Sequence, residues 1–139
     1  MNPNKVEKPA TLAEASARLL GMKDALQVMK EYHEGVMSID VRYNYTLLGR
    51  WIRNNWGLWA GADACPVAEA PLYYYFYERG LRHPGDMSMI IMNVSWAAYA
   101  FEPYSLEAEL NNVKEYWAGL EKAKWNRINQ AVEKVLEKC

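Results

Sequence analysis

From Leu106 to Val135 the apolar residues return at steps of three and four: Leu106, Leu110, Val113, Trp117, Leu120, then Ile128, Val132 and Val135. That spacing is one face of an α-helix, because 3.6 residues complete a turn. Trp125 and the short Ala123 fill the gap, and Ser105 stands where an N-cap belongs. A helix of about 30 residues is long for a globular domain. Either it bends near Gly119, or part of it faces a second copy of the protein.

The rest of the chain repeats the helical pattern in shorter pieces. Thr11-Leu12-Ala13-Glu14 is a capping box. Leu12, Ala15, Leu19, Met22, Leu26 and Met29 follow as one stripe, which Gly21 can split in two and Gly35 ends. Val36 to Tyr45 favours extended backbone but has no partner strand, so it is read as a connector into a helix beginning at about Thr46. Gly57 ends that helix. Gly61 to Pro71 is the main internal loop, and a short aromatic helix starts near Pro71 and stops at Gly80. Asp86 is the expected N-cap of a wide-faced, central helix that Pro103 closes. The expectation is an all-α, compact single-domain bundle of about five helices with a long C-terminal helix. Residues 1–10 read as a flexible tail and 11–139 as one domain.

Composition narrows the function classes. The chain has 139 residues and a formal charge of -1, so a broad nucleic-acid footprint, which wants a basic excess, is not expected. The N-terminus lacks the apolar core of a signal peptide, and no run reaches membrane-spanning length. Cys65 and Cys139 form no metal pattern and read as free thiols in a reducing compartment, which points to the cytoplasm. Ten Tyr and six Trp stand against two Phe, and rings with a polar handle suit wet boundaries and interfaces as well as cores. Every positive charge between residues 36 and 104 is an arginine: Arg42, Arg50, Arg53, Arg79 and Arg82.

Two stretches concentrate chemistry. The first is Arg50-Trp51-Ile52-Arg53-Asn54-Asn55-Trp56-Gly57-Leu58-Trp59, and the second is His83-Pro84-Gly85-Asp86-Met87-Ser88. Arg50, Arg53, Asn54, Asn55, Trp56, Trp59, His83 and Asp86 are the candidate binding residues. A guanidinium forks onto carboxylate or phosphate, Asn both donates and accepts, and an indole supplies a flat wall. The same residues have structural uses: Asn55 can cap carbonyls, Arg53 can pair with Asp86, and both tryptophans can sit in a core. His83 is the one general-base candidate, with Asp86 to orient it. Ser88 lacks a nucleophile elbow, no ligand spacing joins His83, Asp86, His33 and Cys65, and no metal or cofactor is expected.

Ile52-Arg53-Asn54-Asn55-Trp56-Gly57-Leu58-Trp59, then Tyr75-Phe76, Gly80-Leu81, His83 to Ser88 and Ile90-Ile91 resemble a family of small bacterial proteins of unknown function. That family carries an I/L-R-N-N-W-G-L-W block followed by H-P-D-D-M-S. About 40 residues are covered. Gly85 stands where an Asp is usual, and the stretch from Ala60 to Pro71 is longer than the family's gap. The resemblance implies a small helical domain and no particular activity.

The leading expectation is a small soluble binding protein of adaptor, immunity or inhibitor type, which takes a partner protein or sequesters a small anionic ligand. A hydrolase or transferase with His83 as base and Arg50 or Arg53 as anion clamp is the alternative. A structural homodimer through the C-terminal helix is the third class.

Overall fold

The computed structural model describes residues 8–35, 38–59 and 69–137. Among them there are six helices and no strand: α1 (Leu12–Leu20), α2 (Lys23–His33), α3 (Ile39–Asn55), α4 (Pro71–Tyr77), α5 (Pro84–Ala100) and α6 (Leu106–Glu137). Most of Gly61 to Pro71, both cysteines and most of the N-terminal tail lie outside the described residues.

Local chemistry accounts for most boundaries. The Thr11 hydroxyl accepts from the Glu14 N–H at 3.2 Å, and the Glu14 carboxylate accepts from the Ala10 N–H at 2.8 Å, closing the start of α1. Gly21 does split the first stripe, which makes six helices instead of five. Gly57 takes a φ of 75° two residues after α3 ends, a conformation open to glycine and strained for most other residues. Pro71 opens α4 at a first-turn position, where its missing N–H costs nothing.

Two expected starts are corrected. Helix α3 begins at Ile39, not about Thr46, because the Ser38 hydroxyl accepts from the Val41 N–H at 3.1 Å and caps it. Val41 is buried there and Tyr45 packs on the core, so tertiary contact overrides the extended preference of Ile39, Val41 and Tyr43. Helix α5 begins at Pro84 with His83 as its N-cap residue, so Asp86 lies inside the first turn. A prolyl ring fixes the helical φ, and the start moves back to it.

Helix α5 is the hub: α1, α2, α3, α4 and α6 all contact it. Met87, Ile90, Ile91, Met92, Trp96 and Ala97 are buried along it, beside Leu19, Met29, Ile52, Trp56 and Phe76 from its neighbours. Each large side chain taken fully out of water contributes roughly 1.5–3 kcal/mol. Gly49 lets α3 approach α5 closely: a Cβ on it would stand 3.7 Å from both the Ser88 hydroxyl and the Met92 sulfur.

Helix α6 is different. It runs unbroken through Gly119 for 32 residues, and Val113 is its one buried residue. Leu106 and Leu110 pack against the core; from Lys114 to Glu137 every residue is exposed. At 1.5 Å per residue, the part beyond Trp117 projects about 30 Å from the body. Among the described residues no helix is long and apolar enough to cross a membrane.

Candidate functional site

The first candidate stretch is the last turn of α3 and the bend after it. Helix packing carries it to the start of α5. There Arg53 Nη1 donates to Ser88 Oγ at 3.0 Å, and Ser88 Oγ donates to the Gly85 carbonyl at 3.0 Å. The expected partner of Arg53 was Asp86; the arginine bonds Ser88 instead. Helix spacing explains the difference, since Asp86 and Ser88 are two positions apart and point to different sides of α5. Gly49 is part of the same arrangement, because a Cβ there would meet Arg53 Nη1 at 3.2 Å.

Most of the remaining residues of that stretch bond to one another. Asn54 Oδ1 accepts from Trp59 Nε1 at 2.8 Å, and Asn55 Nδ2 donates to the Trp51 carbonyl at 2.9 Å. Trp56 is fully buried and meets Trp51 edge-on. The Arg53 guanidinium lies 5.9 Å from the centre of the Trp59 ring. Burial, and then the neighbouring Arg50 charge, pull Arg53 below the usual guanidinium range. Arg50 is exposed and Arg53 half-buried, so the two form a cationic corner beside an indole.

His83 and Asp86 belong to a second place, built with α6. The His83 ring stacks on Trp117 at 3.6 Å between centroids, and Trp117 Nε1 donates to Asp86 Oδ2 at 2.8 Å. The carboxylate that was expected to orient His83 is thus bound to the indole that His83 covers. A cleft of about 160 Å³ opens here between the Gly80–His83 turn and α6, lined by Leu81, Arg82, His83, Val113, Lys114 and Trp117. Small-molecule sites usually run from about 300 to 1,000 Å³. This one has room for an aliphatic side chain or two. Arg82 is committed locally: it donates to the Tyr77 and Leu81 carbonyls and lies 3.6 Å over the Tyr77 ring. Arg79 does the same with Tyr75, at 3.5 Å over the ring.

Six of the eight candidate residues therefore divide between two neighbouring places at the start of α5, joined there by Ser88 and Trp117, while Asn55 bonds within its own helix and Trp56 is core. Arg50, Arg53, Asn54, Trp59 and Ser88 form one; His83, Asp86 and Trp117 form the other. Arg50 and Arg53 do not line the cleft that His83 lines. Trp117 was legible only as a position on a helical stripe, and Lys114 carried no signal. A tryptophan at the edge of such a stripe, with an N–H to satisfy, was the one available signal.

A third cluster was missed entirely. His33 stacks on Trp96 at 5.1 Å, Tyr32 and Tyr45 stack at 3.7 Å, and Tyr45 Oη lies 3.4 Å from His33 Nε2. Glu109 accepts from Asn93 Nδ2 at 2.8 Å and from the Tyr104 hydroxyl. Burial lowers the His33 imidazole and raises the Tyr45 phenol and the Glu109 carboxyl, so all three groups are driven toward their neutral forms. Among the described residues no three His, Cys, Asp or Glu side chains converge as a metal site.

A family model described as a domain of unknown function, DUF6794, matches residues 8–98. The chain belongs to the DUF6794 family. No curated protein and no solved structure matches it. The DUF6794 span takes in α1 to α4 and most of α5, with both candidate stretches and the Arg53–Ser88 bond. Helix α6, including Trp117, lies beyond the matched residues.

Proposed function

We propose that this DUF6794 chain is a protein-binding domain whose binding element is the projecting part of α6. One observation carries the reading. Trp117, Leu120, Trp125, Ile128 and Val132 keep 37 to 55% of their surface exposed along one side of a helix that none of the described residues of the body covers past Trp117. Scattered surface apolar residues are ordinary, but a continuous stripe holding two tryptophans marks an interaction surface. The cleft at the root of the helix supports the same reading, being sized for a side chain and floored by Leu81 and Val113.

The test is a photoreactive residue at position 125 of the full chain, cross-linked in the cells that make it. Protein adducts are expected, and Leu120→Asp/Ile128→Asp should abolish them while leaving the near-ultraviolet signal of Trp56 and Trp96 intact. Absence of any adduct, or adducts indifferent to the substitutions, overturns the proposal.

The cationic corner favours a second reading, a small anion held by Arg50 and Arg53 against Trp59. Thermal shifts with inorganic phosphate and nucleotides, lost in Arg50→Ala/Arg53→Ala, would support it. Equal shifts in both proteins would refute it.

A further inference from the structure

The binding reading leaves open what the stripe receives. Its charge pattern narrows the answer. Between Trp117 and Ile128 just two charged side chains lie in the middle of the stripe, Glu121 and Lys124. They have opposite signs and sit symmetrically about the midpoint between Lys122 and Ala123. Trp125 Nε1 donates to Glu121 Oε1 at 3.1 Å, which holds that carboxylate within the stripe. Lys124 has no bonded partner among the described residues. A lysine inside an apolar seam is costly to cover unless the covering surface brings an acid to it.

We infer that the occupant is a second copy of this chain, crossing α6 antiparallel at the Lys122–Ala123 midpoint; this rests on the binding role proposed for α6. A two-fold axis there sets Glu121 level with the second copy's Lys124, and Lys124 level with the second copy's Glu121. Trp117 then comes level with the second copy's Ile128, at the mouth of the Leu81–Val113 cleft. Leu120 and Trp125 flank the crossing. Each copy thus contributes three turns of helix, four apolar side chains and half of two ion pairs. A parallel crossing in the same register would set Glu121 against Glu121 and Lys124 against Lys124. Polar residues at seam positions select orientation in this way, at some loss of stability.

Sedimentation velocity on the full chain tests the inference. The wild type should be a dimer that dissociates on dilution. Glu121→Lys and Lys124→Glu should each weaken it about tenfold or more, because each sets like charges together. An equimolar mixture of the two variants should recover the dimer. In the mixed pair one chain carries lysine at both positions and the other carries glutamate at both, so opposite charges face each other at each crossing. A wild type that stays monomeric at high concentration overturns the inference. So does a dimer indifferent to either reversal, or a mixture no tighter than its components. Cross-linking from position 125 separates this failure from the broader one. Adducts of a mass other than twice the chain overturn the second copy alone; no adduct at all overturns the binding role as well.

Discussion

Gly80 is the sharpest place to test the packing of α6 against the body. Its φ is 92°, and a Cβ on it would stand 2.5 Å from Lys114 Cε and 3.0 Å from Lys114 Nζ. Two costs therefore add in Gly80→Ala. A left-handed backbone costs an alanine roughly 1–2 kcal/mol, offset by roughly 0.4–1 kcal/mol of entropy removed from the unfolded chain. Displacing the far end of a lysine costs about 0.5 kcal/mol, the scale of one off-rotamer torsion. Gly57 separates the two costs, because its φ is 75° but its nearest neighbours would be an ordinary 3.6 Å away. Gly57→Ala should thus destabilise by about 1 kcal/mol from the backbone alone, and Gly80→Ala by about 1.5 kcal/mol. Urea denaturation reads both, and Tm should fall by about 3 and 5 °C. In a Lys114→Ala background the excess at Gly80 should vanish. A Gly80→Ala protein less affected than Gly57→Ala, or an excess that survives Lys114→Ala, would refute the reasoning.

Three further outcomes are expected. The Ser16 hydroxyl is buried with no hydrogen-bond partner among the described residues, so Ser16→Ala should raise stability by about 1 kcal/mol in the same denaturation assay. His33 is held below its ordinary imidazole value by burial, so its contribution is present above that value and is lost as pH falls through the lower folded one. Melting followed from neutral to mildly acidic pH should show this decline, and His33→Gln should flatten it. Glu109 is held above the usual carboxylate range by burial, so its stabilising share is full at acidic pH and is lost as pH rises through the folded value. Glu109→Gln, which keeps an acceptor for Asn93, should therefore melt higher than wild type at neutral pH and respond less to pH.

Features governed by neighbours in sequence were legible before the structure. The Thr11–Glu14 box, the break at Gly21, the stops at Gly57 and Gly80 and the proline start at Pro71 all depend on residues within one turn. The long terminal helix followed from spacing alone. The errors arose where packing or a proline outvoted local preference. Ser38 and a buried Val41 start α3 seven residues early, and Pro84 moves the cap of α5 from Asp86 to His83. The meeting of the two candidate stretches was foreseen, but not its pairing. Arg53 reaches Ser88, 35 residues away, and Asp86 is taken by Trp117, 31 residues away. Tertiary approach fixes such partners, and no spacing rule in one sequence encodes it. The His33–Tyr45–Glu109 cluster is gathered from α2, α3 and α6 and was invisible for the same reason.

Among the described residues helix α6 is moored at one end only, and this determines how it loses order. Starting a helix is the unfavourable step, and adding residues to an existing one is nearly free. The turns anchored by Leu106, Leu110 and Val113 provide that start, so the outer turns need only extend it. Melting should accordingly proceed inward from Glu137 as a gradual fraying, with amide exchange slowing residue by residue toward Trp117. Any molecule that grips the helix near its midpoint would stop the fraying at the grip, and the boundary between fast and slow amides would locate the point of contact.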